Sequence, residues 1–142
     1  MAVLALLAIF AVSGAPDAPT RYERPEVGLS VALPAGWSAV TRPLTPCTNP
    51  VQRLALRGRG ALVQLQEALD KAYVRRFPRR PTRFALRGAP HGIACCAPRA
   101  ARGWFIPFRD AGRSFYAYVY LGEPGTRSEA LAILDSLRVV AK

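Results

Sequence analysis

Two runs of strict alternation flank Asp110-Ala111-Gly112 and leave this chain little choice of fold. From Gly103 to Arg109, the side chains of Trp104, Ile106 and Phe108 fall on one side. From Arg113 to Leu121, Phe115, Ala117, Val119 and Leu121 fall on one side and Tyr116, Tyr118 and Tyr120 on the other. A period of two marks half-buried strands, and the residues between them supply a hairpin turn. Thr126-Arg-Ser-Glu129 then reads as a capping box, which satisfies the free N–H groups of a helix start. Ala130, Ile133, Leu134 and Leu137 form the apolar stripe of that helix. The pattern predicts a helix packed on the Phe115 face of the hairpin.

Upstream the same periodicity recurs. Leu29, Val31 and Leu33 alternate in a strand over 28–33, stopped by Pro34-Ala35-Gly36, and Trp37 to Thr41 reads as the returning strand. Val51, Arg53, Ala55 and Arg57 alternate against Gln52, Leu54 and Leu56, and Arg57-Gly58-Arg59-Gly60 is a turn. Ala61 to Glu67 returns as a strand, with Val63 and Leu65 opposite Gln64 and Gln66. Leu62, Leu65, Leu69, Ala72 and Tyr73 also sit at helical spacing, and Glu67 with Lys71 is an i,i+4 pair. The reading taken is a strand to Glu67, then one or two helical turns to about Arg76. Pro78 and Pro81 bar a helix interior, Arg83 to Arg87 reads as a short strand, and Ile93 to Cys96 as another. The fold class is therefore α+β: an antiparallel sheet of six or seven strands with a C-terminal helix on one face, over residues 28–142.

The N-terminus reads differently. No charge precedes Asp17, and Ala2 to Val12 is an apolar run closed by Ser13, Gly14 and Ala15. That is the pattern of a signal peptide over 1–15, although no Lys or Arg opens it. The run is too short for a membrane-spanning helix, which needs about 20 residues. Residues 16–27, with Pro16, Pro19 and Pro25, read as a flexible lead-in. The expectation is a secreted or extracytoplasmic protein, associated with the cell envelope. Of the 142 residues, roughly 127 remain beyond the signal, enough for one domain that buries about two-thirds of its unfolded surface.

Charge is concentrated rather than spread. The chain carries 20 Lys and Arg against 9 Asp and Glu, a formal net charge of +11. Residues 71–113 hold Lys71, Arg75, Arg76, Arg79, Arg80, Arg83, Arg87, Arg99, Arg102, Arg109 and Arg113 against Asp110 alone, which accounts for +10 of that total. Such a field attracts polyanions. Arg75, Arg76, Arg79, Arg80 and Arg83 are the candidate contacts for an acidic envelope polymer or an anionic membrane surface. Specific nucleic-acid recognition is not expected, and the sequence names no protein partner.

Cys47, Cys95 and Cys96 are the three cysteines. An exported protein permits one bridge and one spare thiol. Neighbouring Cα atoms lie about 3.8 Å apart, below the usual disulfide range of about 4.4 to 6.8 Å, so a Cys95–Cys96 ring is disfavoured. Cys47 is expected to pair with Cys96 or Cys95, closing a loop worth roughly 4 kcal/mol of chain entropy. His91, the single histidine, precedes Cys95 by four residues and opens an alternative: a thiol-redox or metal-binding protein using Cys95, Cys96 and His91. No CxxC or HxxxH spacing accompanies it, so no metal or other cofactor is expected. No Gly-x-Ser-x-Gly setting, phosphate loop or marked carboxylate dyad is present either, which argues against an enzyme. Tyr116, Tyr118 and Tyr120 form an aromatic face that could stack sugars or bases, or be the second buried side of the sheet. A structural accessory subunit is the third functional class.

Leu29-Ser-Val-Ala-Leu-Pro-Ala-Gly-Trp37 resembles the opening strand and Pro-x-Gly-Trp turn of small PsbP-like secreted domains. Gly112-Arg-Ser-Phe-Tyr-Ala-Tyr-Val-Tyr-Leu-Gly122, with Ala132-Ile-Leu-Asp-Ser-Leu-Arg138, resembles their closing strand and terminal helix. The last stretch is also similar to small exported proteins of unknown function from high-GC bacteria. The resemblance implies an antiparallel sheet flanked by helices, used for binding or assembly more than catalysis, and it carries over no functional residue.

Overall fold

The structure, a computed structural model, describes residues 14–70, 76–92 and 102–142. Residues 1–13 of the signal peptide expected over 1–15, residues 71–75 of the helical turns expected to about Arg76, and the strand expected over 93–96 lie outside the described residues. Among those described, nine strands form two antiparallel sheets. They are β1 (Thr20–Arg24), β2 (Leu29–Leu33), β3 (Trp37–Ala39), β4 (Val51–Gly58), β5 (Ala61–Ala68), β6 (His91–Gly92), β7 (Arg102–Asp110), β8 (Arg113–Tyr120) and β9 (Arg138–Val139). The larger sheet runs β3-β4-β5-β8-β7-β6 and the smaller β1-β2-β9. One helix, α1 (Arg127–Asp135), lies between β8 and β9 in the chain. The α+β class and the C-terminal helix stand, but the strands divide into two sheets instead of one.

The predicted hairpin is the centre of the larger sheet. Phe108 pairs with Phe115, Ile106 with Ala117 and Trp104 with Val119, so the apolar parities of β7 and β8 coincide. Ala111 and Gly112 both have positive φ, 51° and 72°, the two-residue turn whose twist matches the flanking strands. Arg59 and Gly60 repeat that geometry between β4 and β5, with φ of 47° and 74°. Phe108, Phe115, Val63, Leu65, Leu54 and Leu56 then share one face. Ala130, Ile133, Leu134 and Leu137 cover it together with Leu29 and Val31 of β2. Each large side chain buried there contributes roughly 1.5–3 kcal/mol. The helix therefore packs on the Phe115 face, as its spacing requires.

Four local expectations change. Trp37–Ala39 does not return along β2; it pairs with β4, Trp37 opposite Gly58. The indole lies flat over that glycine, where an added Cβ would sit 2.5 Å from its Cγ, and Trp37 Nε1 donates to Glu129 Oε2 at 2.8 Å. The capping box does not close. Thr126 Oγ1 donates to the Glu123 carbonyl at 2.7 Å, while Glu129 turns to Trp37 and Arg59. Residues 83–87 form no strand, because Phe84 N donates to Asp135 Oδ1 at 2.7 Å and Arg127 takes the Leu86 carbonyl. Finally, the lead-in contains β1, which pairs with β2 from Thr20–Leu33 to Arg24–Leu29.

A bulge at Arg53 reshapes β4. Val51 and Gln52 oppose Glu67 and Gln66, but Leu54 opposes Leu65, so Arg53 has no partner in the ladder. A one-residue bulge reverses the alternation beyond it. Gln52 consequently lies on the face away from Leu54 and Leu56, where the unbroken pattern had grouped all three. The bulged Arg53 sends Nε to Glu67 Oε2 at 2.7 Å.

Glu67 is the one buried carboxylate in this sheet. Arg113 donates to both its oxygens, at 2.8 and 2.9 Å, and Lys142 Nζ reaches them at 3.0 and 3.1 Å. These cations are distant in sequence, and Lys71, the expected i,i+4 partner, lies outside the described residues. Arg113 continues through Nη1 to the carbonyls of Val27 and Val140, at 2.8 and 3.1 Å, joining the large sheet to the end of the small one where β2 begins and β9 stops. Burial alone would raise the Glu67 pKa, but the hydrogen bonds from Arg113, Lys142 and Arg53 outweigh it and bring it down to about 2.

The sign of the acid response follows. An unfolded glutamate protonates near 4.5 and the folded Glu67 near 2, so its contribution is complete above pH 4.5 and is lost as pH falls through 2. Glu67→Gln is expected to lower the unfolding free energy by about 3 kcal/mol at neutral pH, since it leaves the buried Arg113 guanidinium and the half-buried Arg53 without their counter-charge. Denaturant melts across pH should show the gap to the parent closing between 4.5 and 2; a gap constant over that window would contradict this role.

Candidate functional site

The candidate site is a basic cleft on the outer edge of β7. The hairpin turn fixes which backbone groups face that edge. Asp110 and Arg113 close the turn as a hydrogen-bonded pair, so Arg109, Pro107, Phe105 and Gly103 direct their backbone groups outward. Arg109 confirms the direction: its N–H donates to Pro78 O at 2.8 Å and its carbonyl accepts from Arg80 N at 2.9 Å. At the other end β6 pairs with β7, His91 opposite Gly103. Between those two closures no described strand pairs with β7. Proline sits at the outward position 107, where the missing N–H breaks no ladder bond.

Residues 81–90 arch over this open stretch and are strapped down at alternate carbonyls. Arg127 Nη2 donates to Leu86 O at 2.7 Å, Trp104 Nε1 to Gly88 O at 3.2 Å and Arg102 Nε to Pro90 O at 3.1 Å. Phe84 and Leu86 insert into the core, Phe84 edge-on to Phe108 with centroids 5.1 Å apart. The Arg127 guanidinium lies 5.8 Å from the centre of the Trp104 ring. Between arch and strand is a cleft of about 240 Å3, lined by Arg83, Arg87, His91, Trp104, Phe105 and Pro107 among others. Next to it, Arg79, Arg80 and Arg109 border a shallower hollow of about 420 Å3 beside the hairpin turn.

The five arginines expected to bind polyanions do not act alike. Arg76, Arg79 and Arg83 are exposed. Arg79 and Arg83 border the two hollows. Arg75 lies outside the described residues. Arg80 is structural: it donates to Asp110 Oδ2 at 2.9 Å and to the carbonyls of Leu137, Leu134 and Asp135 at 2.7, 3.2 and 3.1 Å. A cation at the carbonyl end of a helix is favoured by the helix dipole, and Arg80 fills that position for α1. Its donors are thus committed inside the molecule. Arg113, part of the same basic stretch, is committed to Glu67. The residues missed at sequence level are Arg87 and Trp104, which complete the cleft.

The tyrosines do not present an open aromatic face. Tyr118 is fully buried, and Tyr116 and Tyr120 are half-buried. Tyr116 stacks on Phe105 with centroids 4.7 Å apart and meets Phe77 at the same distance. The Tyr118 ring passes so close to Gly103 that an added Cβ there would lie 2.9 Å from Cε2. Tyr118 pairs with Gln64, and a chain of amides runs beside it. Gln66 donates to Gln64 at 3.0 Å, Gln64 to Gln52 at 2.8 Å, and Gln52 to the Arg42 carbonyl at 3.0 Å. Tyr118 and Tyr120 border a small hollow of about 120 Å3 with Arg57 and Leu62. This second face of the sheet is therefore interior at its centre.

Cys47 is disulfide-bonded, and its half-buried residue sits in the proline-rich loop before β4. Cys95 and Cys96 lie outside the described residues. His91 is exposed on β6, at the mouth of the cleft. Among the described residues no three of His, Cys, Asp and Glu are grouped to hold a metal ion. No described helix is long and apolar enough to cross a membrane.

Fold and site together define an α+β domain of two antiparallel sheets with an arginine-rimmed, aromatic-floored cleft on an edge strand. No protein-family model, curated protein or solved structure matches the chain.

The two kinds of arginine separate in a stability measurement. Arg80→Ala is expected to cost about 2–3 kcal/mol, since three carbonyls and Asp110 lose a charged donor. Arg83→Ala should stay within about 0.5 kcal/mol of the parent. Equal melting temperatures for the two variants would remove the structural role of Arg80.

Proposed function

We propose that this protein is an exported, envelope-associated binding domain without catalytic activity, which holds an acidic polymer through the cleft on β7. The observation that carries this reading is the set Arg79, Arg83 and Arg87, whose guanidinium groups have no ion-pair partner among the described residues. Several other cations are taken up by the fold. Arg53, Arg113 and Lys142 serve Glu67, Arg80 serves Asp110, and Arg59 serves Glu129. These three exposed arginines, spaced four residues apart with Arg83 and Arg87 on the strapped arch and Arg79 just before it, keep their field for a partner. The PsbP-like resemblance of the opening strand and closing hairpin belongs to the same proposal, because it too points to binding or assembly.

The disulfide belongs with the export reading. We assign the partner of Cys47 to Cys96 or Cys95, the two remaining cysteines of the chain. Such a bridge would tether the loop before β4 to the segment between β6 and β7.

Retention on a polyaspartate resin, followed against salt, tests the first proposal. Binding should weaken steeply with ionic strength. The triple variant Arg79→Ala, Arg83→Ala, Arg87→Ala should flatten the log–log salt dependence by roughly two to three, on the order of one per lost contact. Retention indifferent to salt, or unchanged in the triple variant, rejects the site; binding only to phosphatidylglycerol vesicles moves the partner to a membrane. A non-reduced peptide map should show Cys47 linked to the peptide holding Cys95 and Cys96, and a map without that link rejects the pairing.

A further inference from the structure

The edge of β7 is more specific than its charge. A strand edge exposes unpaired N–H and C=O groups and is a template for another chain, so proteins normally cover or distort it. Here both ends are closed, by Arg80 at Arg109 and by His91 at Gly103. The middle keeps the Phe105 N–H, the Phe105 carbonyl and the Pro107 carbonyl directed into the cleft. The arch that could have filled this gap does not, because its own backbone groups are taken by Asp135, Arg127, Trp104 and Arg102. It stands off as a wall and carries Arg83 and Arg87 above the edge.

From this we infer that the cleft takes a short extended acidic peptide, which adds as a strand to β7 at Phe105–Pro107 while its carboxylates meet Arg83 and Arg87. The inference rests on the polyanion reading above and names the ligand class for the same site. Strand addition draws affinity from main-chain hydrogen bonds, and side chains select the sequence. One donor and two acceptors fit a segment of a few residues, consistent with about 240 Å3. Arg83 and Arg87 supply the charge complementarity, and the half-buried Phe105, on the opposite face of β7 from Ile106, receives the apolar side chains that alternate with the acids.

Acetyl-Glu-Val-Glu-Val-Glu-amide is the probe, titrated into the 15N-labelled full-length protein. Its fully N-methylated analogue, equal in charge but without main-chain donors, and tetragalacturonate are the comparisons. The expected result is binding of the peptide, at least tenfold weaker binding of the analogue, and slowed solvent exchange of the Phe105 amide. Arg83→Glu with Arg87→Glu should weaken the peptide by at least tenfold. Equal binding of peptide and analogue, with the Phe105 amide unchanged, overturns strand addition and leaves the basic site standing. Tetragalacturonate slowing the Phe105 amide where the peptide does not would replace the peptide with a sugar. Failure of every acidic probe, with no retention on polyaspartate, overturns both readings.

Discussion

Glu67 carries a single negative charge into the place where the two sheets meet, and Arg53, Arg113 and Lys142 converge on it. A buried carboxylate is tolerable only when its hydrogen-bonding capacity is filled. The arrangement that fills it draws on β4, β5, β8 and the C-terminus at once. Arg113 must leave β8 toward the core, which the hairpin parity dictates. Arg53 must be bulged to reach the same oxygens. The remaining donor of Arg113 then fixes the carbonyls of Val27 and Val140, so the small sheet is positioned by the same cation. Arg24 adds a second tie, donating to the carbonyl of the bulged Arg53 at 3.1 Å.

Charge neutralisation inside and charge display outside are two halves of one distribution. The basic stretch over residues 71–113 divides when folded. Arg80 and Arg113 turn inward to a helix end and to Glu67, while Arg83 and Arg87 on the arch and Arg79 just before it stay exposed. The inward pair holds the elements that make the cleft: Arg80 locks the arch to α1 and to the hairpin turn, and Arg113 locks β8 to the small sheet. The outward set is held in place by contacts it does not itself make. Carbonyls at Leu86, Gly88 and Pro90 are captured by Arg127, Trp104 and Arg102. The exposed guanidinium groups thus ride on a fixed backbone.

Strong periodicity was readable and exceptions to it were not. The hairpin from Trp104 to Leu121 and the helix stripe Ala130, Ile133, Leu134 and Leu137 appear where their spacing puts them, because a long apolar period has one way to face a core. Arg53 could not be recognised as a bulge, since one extra residue leaves no compositional mark, and Gln52 was placed on the wrong face for that reason. Trp37 was matched to β2 by proximity in sequence, whereas the bare surface of Gly58 offers the indole its place. Glu129 looked like a cap but serves Trp37 and Arg59. The open edge did have a sequence signal. Pro107 lies inside an otherwise regular strand, and a proline there is confined to an edge.

The small sheet sets an order on how the chain comes together. Ser30 pairs with Arg138 and Leu29 with Val139, so neighbouring strands of this sheet lie far apart in the chain. Leu29 and Val31 are covered by Ile133 and Leu134, which are equally distant along the chain. Contacts so distant along the chain close slowly, since the loop entropy must be met before they stabilise anything. The β7–β8 hairpin, by contrast, joins neighbours across two residues. The hairpin is therefore set to form ahead of the small sheet, whose closure brings β9, the cover of Leu29 and Val31, and Lys142 into place together.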